Sequence, residues 1–237
     1  MTWSIVIHDE ASGAFAVAVA TCAFAVGASV PFVRAGVGAV ATQSFTNRYL
    51  GPVVLDGMAR GLSPEGAIGS AIAGDEGRGL RQIHAVDRQG RTASWTGENC
   101  VAWCGGEAAH GVSVAGNMLA GEMVVSDTLA AMEADLSLPE RLMGAMLAGQ
   151  SAGGDRRGRQ SAAMVMVTTE DFPDLNIRVD DHEDPLGELD RLLGIWRREV
   201  QPSLQTRPRK ADPFGLIDLD QIEARWQAAG SELRLRR

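Results

Sequence analysis

The sequence predicts an α+β fold, and three observations carry that prediction. Strand-like runs fall in blocks, two of them as hairpins closed by short turn-rich connections. Helix-like segments fall in pairs between those blocks, so the single strand-helix alternation of a parallel sheet is missing. The composition, 45% hydrophobic with 22% charged and 28 glycines, is that of a globular core built from Ala, Val, Leu and Met.

The chain opens on structure. Residues Trp3 to His8 and Ala14 to Val19 are β-rich, and Asp9 to Gly13 joins them at hairpin length. Residues Thr21 to Ser29 are small and apolar, and Pro31 to Gly36 reads as a connector. Val37 to Thr42 is a strand that runs into the polar cluster Gln43 to Tyr49. Helices are expected over Gly51 to Arg60 and Pro64 to Ala73, the second with Ser63 as N-cap and Pro64 at its first position.

Gln82 to Val86 and Arg91 to Thr96 flank Asp87 to Gly90 and form a second hairpin. Val112 to Asn117 is a further strand, and two helices follow over about residues 122 to 134 and 138 to 149. The second of these opens on the capping-box pattern Ser137 to Glu140 and carries Leu138, Leu142, Met143, Met146 and Leu147 as one stripe. A loop rich in glycine and arginine, Gly153 to Gln160, leads into Ser161 to Val167, an apolar strand covered on both faces. Asn176 to His182 is the last strand, and Asp184 with Pro185 starts a final helix buried through Leu186, Leu189, Leu192, Leu193 and Trp196. From about Pro202 the composition turns to proline and charge, which divides the chain into a main domain, residues 1–205, and a C-terminal appendage, residues 206–237.

Charge narrows the partners. A net charge of −8 disfavours nucleic acid and anionic membranes, and the basic pieces Arg207 to Lys210 and Arg234 to Arg237 read as a solvated tail. No apolar run approaches the roughly 20 residues of a membrane span, and no targeting segment is visible, so a cytoplasmic location is expected. Cys22, Cys100 and Cys104 are odd in number and read as free thiols. No cofactor is expected.

Thr2 is the first chemical candidate. Removal of Met1 leaves a threonine with both a hydroxyl and its own α-amine, whose ordinary pKa of about 8 suits it to accept the hydroxyl proton. The competing reading is an ordinary second residue before a strand. Ser4 shares a strand face with Thr2, as a second hydroxyl of the site or as a serine bonded to neighbouring backbone.

The Gly153 to Ser161 loop holds Asp155, Arg156, Arg157, Arg159 and Gln160 among glycines, a composition suited to a carboxylate or phosphate. Pairing of its arginines with Asp155 and the acidic residues near 180 is the alternative. The loop lacks the Lys-Ser/Thr ending of a nucleotide-binding loop. Asp180 and His182, alternating with Arg178, offer a metal or acid/base pair, or else a structural ion-pair network. His8, His84 and His110 have no partner visible in the sequence.

Several of these segments together resemble one family: the start Met1 to Val6, Gly36 to Gln43, Gly116 to Leu119, the long run Ala148 to Ala162, and Arg178 to His182. The chain is identified as similar to the uncharacterised bacterial "domain of unknown function 1028" family, grouped with the N-terminal nucleophile hydrolases, over about residues 2 to 200. That resemblance implies a four-layer αββα sandwich, two antiparallel sheets between helical layers, with Thr2 at the nucleophile position. It carries no settled activity.

The leading expectation is an amidohydrolase acting on a small, anionic amide. Thr2 serves as nucleophile and base, Asn117 or Gln43 assists the oxyanion, and the loop arginines hold a carboxylate. The alternative is a non-catalytic, oligomeric protein that binds a small anion on the same fold. A homo-oligomer is expected by analogy, from surfaces rich in Ala and Gly.

Overall fold

Strand β1, Thr2–Asp9, is the axis of the molecule: β2, Ala14–Thr21, pairs with it on one side and β8, Val112–Asn117, on the other. The structure, a computed structural model, describes residues 2–231 and 233; Met1 and the basic segment Arg234 to Arg237 lie outside the described residues. Asp9 closes the β1–β2 turn by accepting from the Ser12 amide at 3.0 Å, and Gly13 takes the left-handed conformation (φ +69°) that the turn requires.

The first sheet continues through β9, Ser161–Val167, to β10, Leu175–Val179, on one edge, and to β7, Gly105–Ala109, on the other. The second sheet has the order β3–β4–β5–β6: Pro31–Arg34, Gly38–Ser44, Arg81–Asp87 and Thr92–Thr96. Every pairing in both sheets is antiparallel.

The period-2 alternation of β1 divides its side chains between two cores. Trp3, Ile5 and Ile7 face a helical layer made of α3, Met123–Ala131, α4, Leu138–Ser151, and α5, Pro185–Glu199, where they meet Val124, Met146 and Leu189. Val6 faces the other way, into a core between the sheets with Phe15, Val17, Ala41 and Val86. A third core lies on the far side of the second sheet, where Val40, Ile83 and Ala85 are covered by α1, Leu50–Ala59, and α2, Pro64–Ala73. The layers are therefore helix, sheet, sheet, helix: an α+β, αββα sandwich. Sheets buried on both faces explain why β2 and β9 are apolar, apart from Thr21 and Ser161 at one end, although antiparallel.

Local signals hold at two helix starts, whereas Asp184 occupies the N-cap position of α5 without a side-chain capping bond, its carboxylate being paired with Arg159. Ser63 Oγ accepts from the Gly66 amide at 3.2 Å, and Ser137 and Glu140 form a reciprocal capping box. Three elements and one residue depart from expectation. Pro31–Arg34 is an edge strand instead of a connector; Pro31, at its first residue, has no ladder N–H to lose. Gly105–Ala109 is a strand although glycine, glutamate and alanine disfavour one, because β8 pairs with it. The last strand stops at Val179, where the Asp180 carbonyl turns to accept from the Ala25 amide at 2.9 Å. Leu147 is exposed, outside the buried stripe of α4.

The C-terminal segment includes a 3-10 helix, Gln201–Thr206, and α6, Leu219–Ala228. Trp226 Nε1 donates to Thr206 Oγ1 at 2.9 Å, and the Lys210 amide donates to Glu170 Oε2 at 3.0 Å. All three cysteines are free thiols. Among the described residues no helix is long and apolar enough to cross a membrane.

Candidate functional site

One polar row crosses four strands of the first sheet at the Thr2 end. Thr2 pairs with Asn117 on β8, its Oγ1 donates to Thr21 Oγ1 on β2 at 3.2 Å, and Thr21 pairs with Ser161 on β9. Paired antiparallel residues share a face, so all four side chains look toward the second sheet. All four are buried, Thr2 being the most accessible at 7%.

The Gly153 to Gln160 loop is folded against the same end of the sheet. The Gln160 amide donates to the Thr21 carbonyl at 3.0 Å, and the Ala120 amide to the Gly154 carbonyl at 3.0 Å. Asp155 is the anchor. Its carboxylate is buried and accepts from the Cys22 amide at 2.7 Å and from the Arg157 amide at 2.8 Å, and it pairs with the Arg157 guanidinium at 3.1 Å. Arg159 pairs with Asp184 at 3.2 Å, and Gln160 Nε2 donates to Asp181 at 3.1 Å. Arg156 is exposed and has no side-chain partner among the described residues.

Beneath the row, between the sheets, Asn117 of the row joins a network with five more polar side chains, each of the six at most 2% exposed: Ser4, Gln43, Gln82, His84 and Ser113. Ser4 Oγ is 2.7 Å from Gln43 Oε1 and 2.8 Å from His84 Nε2. The serine has one proton and the carboxamide oxygen can only accept, so Ser4 donates to Gln43 and receives from His84 Nε2–H. His84 Nδ1 then accepts from Ser113 Oγ at 3.1 Å. Full burial pushes the His84 pKa down to about 3, which keeps the ring neutral.

Both N–H groups of Gln43 are used, on Gln82 Oε1 at 2.9 Å and the Ala115 carbonyl at 3.1 Å. Gln82 Nε2 faces the Gly116 carbonyl at 2.8 Å and Thr96 Oγ1 at 3.0 Å. Asn117 Nδ2 donates to Gln82 Oε1 at 2.9 Å, while Asn117 Oδ1 is buried with no hydrogen-bond partner among the described residues.

The candidates read from the sequence therefore separate. Thr2, Asn117 and the Asp155 loop share one end of the first sheet, whereas Ser4 and Gln43 lie inside the network below with their donors engaged. Arg178 pairs with Asp180 at 2.7 Å, His182 Nδ1 accepts from the Asp184 amide at 2.9 Å, and no group of three metal-ligating side chains occurs among the described residues. His84 was the residue missed. Its signal is the pair Gln82 and His84, two residues apart on one face of β5 and set among Ile83, Ala85 and Val86.

The comparisons with known proteins agree with this architecture. A crystal structure of protein SPO2555 from Silicibacter pomeroyi is similar with a TM-score of 0.85 and 29% identity, over 92% of this chain and 96% of that one. Anbu (ancestral beta-subunit) from Yersinia bercovieri aligns over 81% of this chain and 93% of that one with a TM-score of only 0.38 at 10% identity, too slight a likeness to bear on the reading. None of the curated proteins matches in sequence. The profile of the family described as "Family of unknown function (DUF1028)" matches residues 2–189, from the first residue of β1 into α5, and the chain belongs to that family.

Proposed function

We propose that the protein hydrolyses a small, anionic amide, with Thr2 as nucleophile once Met1 has been removed. The observation that carries this reading is the position of Thr2: first residue of the central strand, its hydroxyl beside Thr21 and its backbone in register with Asn117. In this reading the fold is that of the N-terminal nucleophile hydrolases.

The chemistry follows from the groups present. The Thr2 α-amine takes the proton from Oγ1 as the oxygen attacks the amide carbonyl. Asn117 Nδ2 carries two hydrogens and gives one to Gln82, so its second N–H is the donor for the oxyanion. The amine then passes the proton to the leaving nitrogen, and water hydrolyses the Thr2 ester by the same route in reverse. Arg156, the loop arginine without a side-chain partner among the described residues, is the group assigned to the substrate carboxylate. Ser4 takes no catalytic part, because its proton is committed to Gln43.

The non-catalytic anion-binding reading is weaker, because two of the three loop guanidinium groups already pair with Asp155 and Asp184. Intact mass and a screen of small carboxylate-bearing amides separate the two. A chain starting at Thr2 whose turnover falls about 10³-fold or more in Thr2→Ala supports the hydrolase. Activity that survives Thr2→Ala removes Thr2 from the mechanism.

A further inference from the structure

A cavity of about 580 Å³ lies at the opposite end of β1, against Ile7–Ala11, the β7–β8 hairpin and α3. An eight-residue strand separates it from Thr2 by about 23 Å. Its volume is in the range of small-molecule sites. We propose that this cavity binds a small organic cation with an apolar body and a neutral carbonyl acceptor, the chemistry of an amino-acid amide.

The lining supplies each part of that description. Ile7, Val112, Leu129 and Met132 form an apolar floor. Of the four carboxylates around it, Asp9 pairs with Arg141 and Glu10 with His110 at 2.8 Å. Glu107 and Glu133 have no ion-pair partner among the described residues. Two unpaired carboxylates on one cavity favour a cation.

One orphaned atom specifies the rest. Arg141 Nε is buried and has no hydrogen-bond partner among the described residues. A buried N–H without an acceptor is costly, and a ligand that brings one recovers that cost on binding. The acceptor must be neutral, since a carboxylate placed at Arg141 Nε meets Asp9 and the glutamates as a like charge. An ammonium at Glu107 and Glu133, an alkyl body on the floor and a carbonyl at Arg141 satisfy all three demands.

Calorimetric titration of the full chain with L-leucinamide tests this, beside L-leucine, which adds the carboxylate, and 4-methylpentanamide, which lacks the ammonium. L-leucinamide is expected to bind one equivalent, with the other two weaker by about tenfold or more. The double variant Glu107→Gln with Glu133→Gln is expected to lose about tenfold or more for L-leucinamide with its thermal midpoint unchanged. The Thr2→Ala protein is expected to bind as the parent does, which separates this cavity from the amide site proposed at Thr2. No binding at about 10 mM, equal binding of the three compounds, unchanged affinity in the glutamine variant, or loss of binding in Thr2→Ala each overturns the proposal.

Discussion

His84 Nε2 stands 2.8 Å from Ser4 Oγ, and in this pair the imidazole donates and the serine accepts. A serine and a histidine at that distance have the spacing of a nucleophile and its base, but the proton runs the other way. Gln43 Oε1 takes the serine hydrogen at 2.7 Å, and the ring is buried in its neutral form. The contact joins the two sheets.

Acid sensitivity follows from the histidine. Its folded pKa, about 3, lies below the ordinary 6.5, so between those values the unfolded chain binds a proton that the native state refuses. The stabilisation is complete above about pH 7 and is lost as pH falls toward 3. Urea unfolding from pH 7.5 to pH 5 is expected to show a loss of about 2 kcal/mol that disappears in His84→Gln. Equal acid losses in both proteins contradict it.

Ser4→Ala removes one hydroxyl and orphans two buried partners, His84 Nε2–H and Gln43 Oε1. The expected cost is about 2–4 kcal/mol, read as a lower denaturant midpoint at unchanged m. A cost below about 0.5 kcal/mol, that of an ordinary surface change, means the hydroxyl bonds neither group.

Asp155→Asn tests the anchor of the arginine loop. Both carboxylate oxygens are committed, to the Cys22 and Arg157 amides, and an asparagine turns one acceptor into a donor facing an N–H. A loss of about 2–3 kcal/mol is expected. Hydrogen exchange of those two amides should rise together, and protection retained at both refutes the anchor.

Two glycines of α4 should respond with opposite signs to alanine. At Gly149 a Cβ falls 2.9 Å from Trp3 Nε1 and 3.2 Å from the Val124 carbonyl, and also against Thr128 Oγ1, so Gly149→Ala should cost about 1–3 kcal/mol. Nothing lies within 4 Å of a Cβ at Gly144, and Gly144→Ala should gain about 0.5–1 kcal/mol. Thermal midpoints that move together disprove the close approach of α4 to β1.

The features legible in the sequence are those written locally. The span Pro64–Ala73 follows from Ser63 and Pro64, and Ser161–Val167 from its unbroken apolar run. What escaped depends on distant partners. Strand Gly105–Ala109 exists because β8 lies beside it, and His84 finds Ser4 80 residues away. The loop arginines were legible as a cluster, but the pairing of Arg159 with Asp184, 25 residues on, is a product of the folded end of the sheet.

The carboxamides and the imidazole between the sheets also decide how β1 is seated. A slip of one residue would send Thr2 and Ser4 under the helices and turn Trp3 and Ile5 toward Gln43, Gln82 and His84. Apolar packing alone tolerates such an exchange of one greasy side chain for another, whereas the amides would be left with nothing to bond. The interior thus works as a lock cut for one alignment of the first strand, and that alignment brings the second residue of the chain to the sheet's end beside Asn117.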